Sequence, residues 1–182
     1  MTMLFTRTRQ RGFSLTELML VVAVGGTIMA IALPIMTDLT ASTKLNEAAR
    51  LVEREFQDAR LRAVASNRSL RVRTNCPAAG YVRSVEVLGT ATDTAANRCL
   101  QIAFPFPADA DLMTRPNYDG PVRTIPNGAT ATTTVIEFSP DGGARLVVAG
   151  VAEPMVAQTV TITRQSKSRT VTINGAGKVQ LQ

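Results

Sequence analysis

From Leu18 to Met36 the chain runs for 19 residues without a formal charge. As a helix rising 1.5 Å per residue, that run spans roughly 28 Å, close to the hydrocarbon thickness of a bilayer. Only Gly25, Gly26, Thr27 and Pro34 interrupt its apolar character, and bilayer helices tolerate glycine and proline better than soluble ones do. The leader carries Arg7, Arg9 and Arg11 and no acid. Positive-inside logic keeps such a leader cytoplasmic and sends the remainder to the other side.

Two readings of this segment compete. In the first it is an ordinary secretory signal, with Ala30-Ile31-Ala32 as a small-residue cleavage site and a soluble periplasmic protein as the product. Against it, Glu17 stands between the arginines and the apolar run, and apolar residues continue past that cut. In the second, cleavage falls at the other end of the run. The stretch Gly12-Phe13-Ser14-Leu15-Thr16-Glu17 resembles the type IV prepilin signature, although isoleucine is usual where Thr16 stands. The resemblance implies cleavage between Gly12 and Phe13 by a prepilin peptidase, N-methylation of Phe13, an assembly role for Glu17 and a helix kink at Pro34. Phe13 and Glu17 are four apart and so share a helix face. The acid therefore has a fresh ammonium to pair with, its own or a neighbour's.

Hydrophobic residues make up 45% of the 182 and charged residues 19%, enough for a packed core and against global disorder. Net charge is +6; the three leader arginines supply half of it, which weakens a general polyanion-binding reading. Histidine and tryptophan are absent. Losing histidine removes the commonest general base and zinc ligand, and every Ser/His/Asp or Cys/His arrangement. Two cysteines alone make no structural zinc site. We expect no enzyme, metal or cofactor.

After the apolar run, Leu45, Ala49, Val52, Phe56, Ala59 and Ala63 alternate spacings of four and three, one stripe of a continuing helix. Beyond Asn67 the period becomes two. Leu70–Arg73 and Val82–Leu88 read as strands. Val135–Phe138, Pro140-Asp141-Gly142-Gly143 and Leu146–Val148 read as a hairpin. Val160–Ile162, Val171–Ile173 and Val179–Leu181 predict a three-stranded antiparallel meander, wet on its threonine face, with connections at Arg164–Arg169 and Asn174–Gly177. Prolines 105, 107, 116, 121 and 126 mark a long irregular stretch from Pro105 to about Thr133.

The expected class is α+β, with a long N-terminal helix packed on an antiparallel β-sheet domain. The segments are a leader (1–12), a transmembrane or filament-core helix (13–37), its amphipathic continuation (38–67) and a β-rich periplasmic head (68–182). Export to an oxidising compartment predicts a disulfide between Cys76 and Cys99; their spacing is not that of a redox C-x-x-C pair.

Ile136-Glu137-Phe138-Ser139-Pro140-Asp141-Gly142 and the closing Thr170-Val171-Thr172-Ile173-Asn174-Gly175-Ala176-Gly177-Lys178-Val179 resemble the FimT/FimU/GspH group of minor pilins and pseudopilins. That resemblance implies an inner-membrane, single-pass subunit. It would prime or cap a type IV pilus or a type II secretion pseudopilus, with other pilins as partners. DNA capture in natural transformation ranks second. Arg164, Lys167, Arg169 and Lys178 are four cations with no acid from Arg164 to the end, as phosphate contacts require. The Gly-Arg-x-Arg motif of DNA-binding relatives, however, is Gly177-Lys178-Val179-Gln180 here.

Overall fold

The computed structural model describes residues 14–106 and 118–182. It divides into two compact units, residues 1–41 and 42–182. One helix, α1 (Leu15–Ser66), supplies the described part of the first unit and opens the second.

In the first unit the helix is apolar on every side. Its most apolar 18-residue window has a mean hydropathy of 2.4, and none of that window is buried. By length and composition it suffices to cross a membrane. Two of its hydroxyls bond back to the helix's own carbonyls. The hydroxyl of Thr27 donates to the Val24 carbonyl at 2.8 Å, and that of Thr40 to Met36 at 2.7 Å. The helix continues through Pro34.

In the second unit the helix lies on two antiparallel sheets. The strands are β1 (Leu70–Thr74), β2 (Tyr81–Glu86), β3 (Arg123–Thr124), β4 (Thr130–Ala131), β5 (Val135–Phe138), β6 (Ala144–Val148), β7 (Val151–Pro154), β8 (Ala157–Arg164), β9 (Lys167–Asn174) and β10 (Val179–Leu181). One sheet has the order β3-β2-β1-β5-β6-β7 and the other β10-β9-β8-β4. All six stripe residues, Leu45 through Ala63, are buried, joined by Ala48. They share one core with Leu70, Val72, Ile136 and Phe138 of the first sheet and Val160, Ile162, Val171 and Ile173 of the second. The small residues Ala48, Ala49, Ala59 and Ala63 let the helix axis approach the strands. Phe56 fills the larger gap, meeting Phe138 edge to face at 6.4 Å between ring centres. Each enclosed aliphatic or aromatic side chain contributes about 1.5–3 kcal/mol of transfer free energy.

The closing meander forms as its alternation predicts, with Val171 and Ile173 buried and the alternating Thr170 and Thr172 partly solvated. Its first connection is shorter than predicted. β8 and β9 run to Arg164 and from Lys167, leaving only Gln165 and Ser166 to turn, with Gln165 at φ 54°. The proline-rich stretch is also less irregular than predicted, because it holds β3, β4 and a 3₁₀ turn at Pro126–Gly128; residues 107–117 lie outside the described ones. β7 has no sequence counterpart: four residues ending in proline make a sheet edge that local pattern does not announce.

Both closing motifs meet the helix at Arg60. Its Nε donates to the Gly142 carbonyl at 3.0 Å and its Nη2 to the Ala176 carbonyl at 3.4 Å. A Cβ at Gly177, where φ is +74°, would collide with the Gly142 carbonyl. Glycine is therefore required there by space as well as by backbone angle.

Candidate assembly site

The sequence places its strongest candidates at the start of the chain. Gly12 and Phe13 lie outside the described residues. Glu17 falls in the first turn of α1 and is exposed. A carboxylate there complements the positive end of the helix dipole. The turn is closed by the Leu18 amide donating to the Ser14 carbonyl at 3.1 Å. Leu15, Leu18, Met19 and Val22, in the same two turns, are each more than half exposed. A helix apolar on all sides is suited to a bilayer or a dry protein interface.

Three of the four C-terminal cations donate to acceptors elsewhere in the head. Arg164 Nε donates to the Asn127 carbonyl at 2.8 Å, Lys167 Nζ to Ser42 Oγ at 2.8 Å and Arg169 Nε to Asn46 Oδ1 at 2.9 Å. Asn127 in turn donates to the Glu47 carboxylate at 2.9 Å and the Lys44 carbonyl at 3.3 Å. These bonds tie the helix over 42–47 to β8, β9 and the Pro126–Gly128 turn. Lys178 is exposed beside Gln57 and Leu61.

Cys76 and Cys99 are joined in a disulfide, with a Cα–Cα separation of 5.3 Å. It anchors a layer that sequence reasoning missed. In β1, β2 and β5, Leu70, Val72, Val82, Ile136 and Phe138 belong to the core under the helix, while Arg71, Arg73, Arg83 and Glu137 share the opposite face with Val85 and Val135 through cross-strand register. That second face is covered as well, by the chain from Leu88 to Phe104 and by Asp119–Gly120. Arg83 is completely enclosed and donates to the carbonyls of Gly120, Cys99 and Phe104 at 3.0, 3.2 and 2.6 Å. Arg98, equally enclosed, makes a forked ion pair with Asp119 and lies over the Phe104 ring at 4.6 Å. Asp119 also accepts from the Glu86 amide at 2.8 Å. Burial lowers the pKa of Arg83, opposed by the Asp119 charge. Burial also lowers that of Arg73, assisted by the neighbouring Arg71 and Arg98. Arg71 pairs with Glu137 at 2.9 Å. The one sequence hint was arginine recurring at period two between valines, a pattern that reads equally well as a wet strand face.

Among the described residues no group of three or more His, Cys, Asp or Glu is placed to hold a metal. The arrangement offers an uncovered apolar helix on one unit and a braced head on the other.

Residues 7–33 match the prokaryotic N-terminal methylation motif, and residues 48–177 match the family described as type II transport protein GspH. The chain belongs to the GspH family. Members of this pilin and pseudopilin family are structural subunits rather than enzymes, and they assemble with other pilins in a filament. Similar curated proteins include a fimbrial protein of Neisseria meningitidis serogroup B, 39% identical over 87 residues, covering 44% of this chain and 51% of the relative. They also include the type IV major pilin protein PilE1 of Neisseria gonorrhoeae, 48% identical over 46 residues, covering 25% of this chain and 28% of the relative. The chain thus spans about half the length of the first of these curated relatives and just over a quarter of the second. Among solved structures, the type IV minor pilin FimU of Pseudomonas aeruginosa aligns over 79% of this GspH-family chain and 92% of its own length, at 17% identity and a TM-score of 0.48.

Proposed function

We propose that this GspH-family chain is a minor pilin or pseudopilin that primes or caps a type IV pilus or a type II secretion pseudopilus. The observation that carries the reading is the exposed, charge-free apolar helix headed by Glu17, one turn after Gly12-Phe13. A prepilin peptidase cuts after Gly12 and methylates the new amine of Phe13. Until assembly the helix crosses the inner membrane once, with the head in the periplasm. On assembly it moves from bilayer to filament core, two dry environments, so its apolar surface need not meet water. A carboxylate at the bilayer centre costs on the order of 2.5–3.5 kcal/mol, less near the interface. Pairing Glu17 with the amine of a neighbour lowers that cost only where a neighbour is present, which favours correct docking. Pro34 supplies a bend within the helix.

DNA capture ranks below this reading. Arg164, Lys167 and Arg169 are engaged with acceptors of the head itself, which leaves Lys178 as the cation of that group best supporting it.

Intact-mass measurement of the mature chain tests the proposal. A chain beginning at N-methylated Phe13 is expected; one beginning at Leu33 would establish the signal-peptide reading instead. Glu17→Ala is expected to leave membrane levels intact while sharply reducing recovery in sheared or pulled-down filaments. Unchanged recovery would sink the assembly role of Glu17.

A further inference from the structure

A cleft of about 430 Å³ opens between the helix and the Arg123–Pro126 segment, lined by Glu47, Arg50, Arg54, Glu55, Asp58 and Arg123. The lining charges balance in number but not in fixity. Arg50, Arg54 and Asp58 are exposed, as is Glu47, whose carboxylate accepts from Asn127 at 2.9 Å. Glu55 alone of them is buried, at 6% exposure. Its Oε1 meets Arg123 Nε at 3.3 Å, a single long contact to a side chain that is itself 55% exposed. Its Oε2 is buried and has no hydrogen-bond partner. An unmatched buried carboxylate oxygen is costly, because it has lost its water without gaining a donor.

We propose that this cleft receives a lysine side chain from a neighbouring filament subunit, whose ammonium takes the free valence of Glu55. The inference rests on the filament reading above. A lysine fits better than an arginine because Arg123 occupies one carboxylate oxygen. A guanidinium binds best across both oxygens, whereas an ammonium is a point donor content with one. Glu55 is itself part of the cleft lining, and its terminal carboxylate torsion is broad, so Oε2 can turn toward the cleft at little cost. Glu47 and Asp58, at the mouth, draw the same charge. Arg123 keeps Oε1, compensating Glu55 before and after assembly, while the lysine takes Oε2.

The test uses the full chain in cells that assemble the filament. Carbodiimide treatment joins neighbouring carboxyl and amine groups without a spacer, and peptide mass spectrometry locates the link. The expected product joins Glu55 to a lysine of another subunit. Arg123→Gln is expected to raise that product several-fold, because the lysine then has the whole carboxylate and the carbodiimide an unpaired one. Glu55→Gln is expected to lower the neighbour co-purified with the chain about tenfold. A merely internal Glu55–Arg123 pair predicts that both substitutions act alike. A photoreactive residue at Ile28 separates the two levels of the argument. Capture of a pilin through position 28, with Glu55 linked to no other subunit, overturns this inference and leaves the filament reading standing. Capture at neither position overturns both. The wild-type cross-link requires no substitution, so a variant that fails to fold does not shelter the proposal.

Discussion

Arg98 and Asp119, 21 residues apart in sequence, meet as a forked ion pair with neither side chain exposed to solvent. Asp119 also faces Arg83 at 3.6 Å, so one carboxylate compensates two enclosed guanidiniums. Asp119→Asn is expected to destabilise the head by about 3–5 kcal/mol, the cost of stranding a buried charge. Urea denaturation of the full chain in detergent, followed by circular dichroism, measures it. A loss below about 1 kcal/mol would show that the arginines find solvent when unpaired.

Replacing both cysteines with serine removes a cross-link closing 23 residues. The chain-entropy account gives about 3 kcal/mol for a loop of that length. The same denaturation reports the loss. Proteolysis should then cut first between Leu88 and Phe104, the layer the disulfide anchors. Cleavage starting elsewhere would mean that the arginine contacts hold the layer unaided.

Glu55 predicts a pH dependence with a definite sign. Burial raises its pKa above the ordinary 4.5, with Arg123 and Arg62 opposing. The folded chain then holds the proton more tightly than the unfolded chain. The contribution of this group to stability is therefore fullest below pH 4.5 and declines as pH rises through the raised value. Glu55→Gln should remove that decline, giving a flatter stability profile just above pH 4.5. Parallel profiles for the two chains would show that Arg123 cancels the effect of burial.

Lys167→Ala with Arg169→Ala tests what the C-terminal cations do. Their bonds to Ser42 and Asn46 predict a modest loss of head stability, about 1 kcal/mol or less for each exposed contact. DNA affinity at physiological salt should be unaffected in a gel-shift assay. A steeply salt-dependent affinity that disappears in the double variant would promote the DNA reading over the structural one.

Much of the fold was legible because its signals are local. The spacing of Leu45, Ala49, Val52, Phe56, Ala59 and Ala63 specifies a buried helix face without reference to its partner. Alternation in the last three strands specifies a half-wet sheet in the same way. Asn174-Gly175 and Pro140-Asp141-Gly142 announced their turns through backbone preference. Arg83 was not legible as a core residue. Its neighbours alternate as in a solvated strand, and whether the second face is wet depends on a covering segment further along the chain. Lys167 and Arg169 looked free for a comparable reason: their acceptors, Ser42 and Asn46, lie 125 and 123 residues earlier.

The sequence by itself determined that the chain carries an uncharged apolar helix of bilayer length and an acid at its head. It likewise determined that an amphipathic continuation and period-two strands follow. Each is a statement about neighbours in the chain, which side-chain chemistry and backbone periodicity decide. Only the tertiary structure decided that three charged residues, Arg83, Arg98 and Asp119, lie inside, that Lys167 and Arg169 brace the helix, and that Glu55 faces a cleft with an oxygen unmatched. Those outcomes depend on which distant segments topology brings together, and a charge reads the same in sequence whether water or protein comes to cover it.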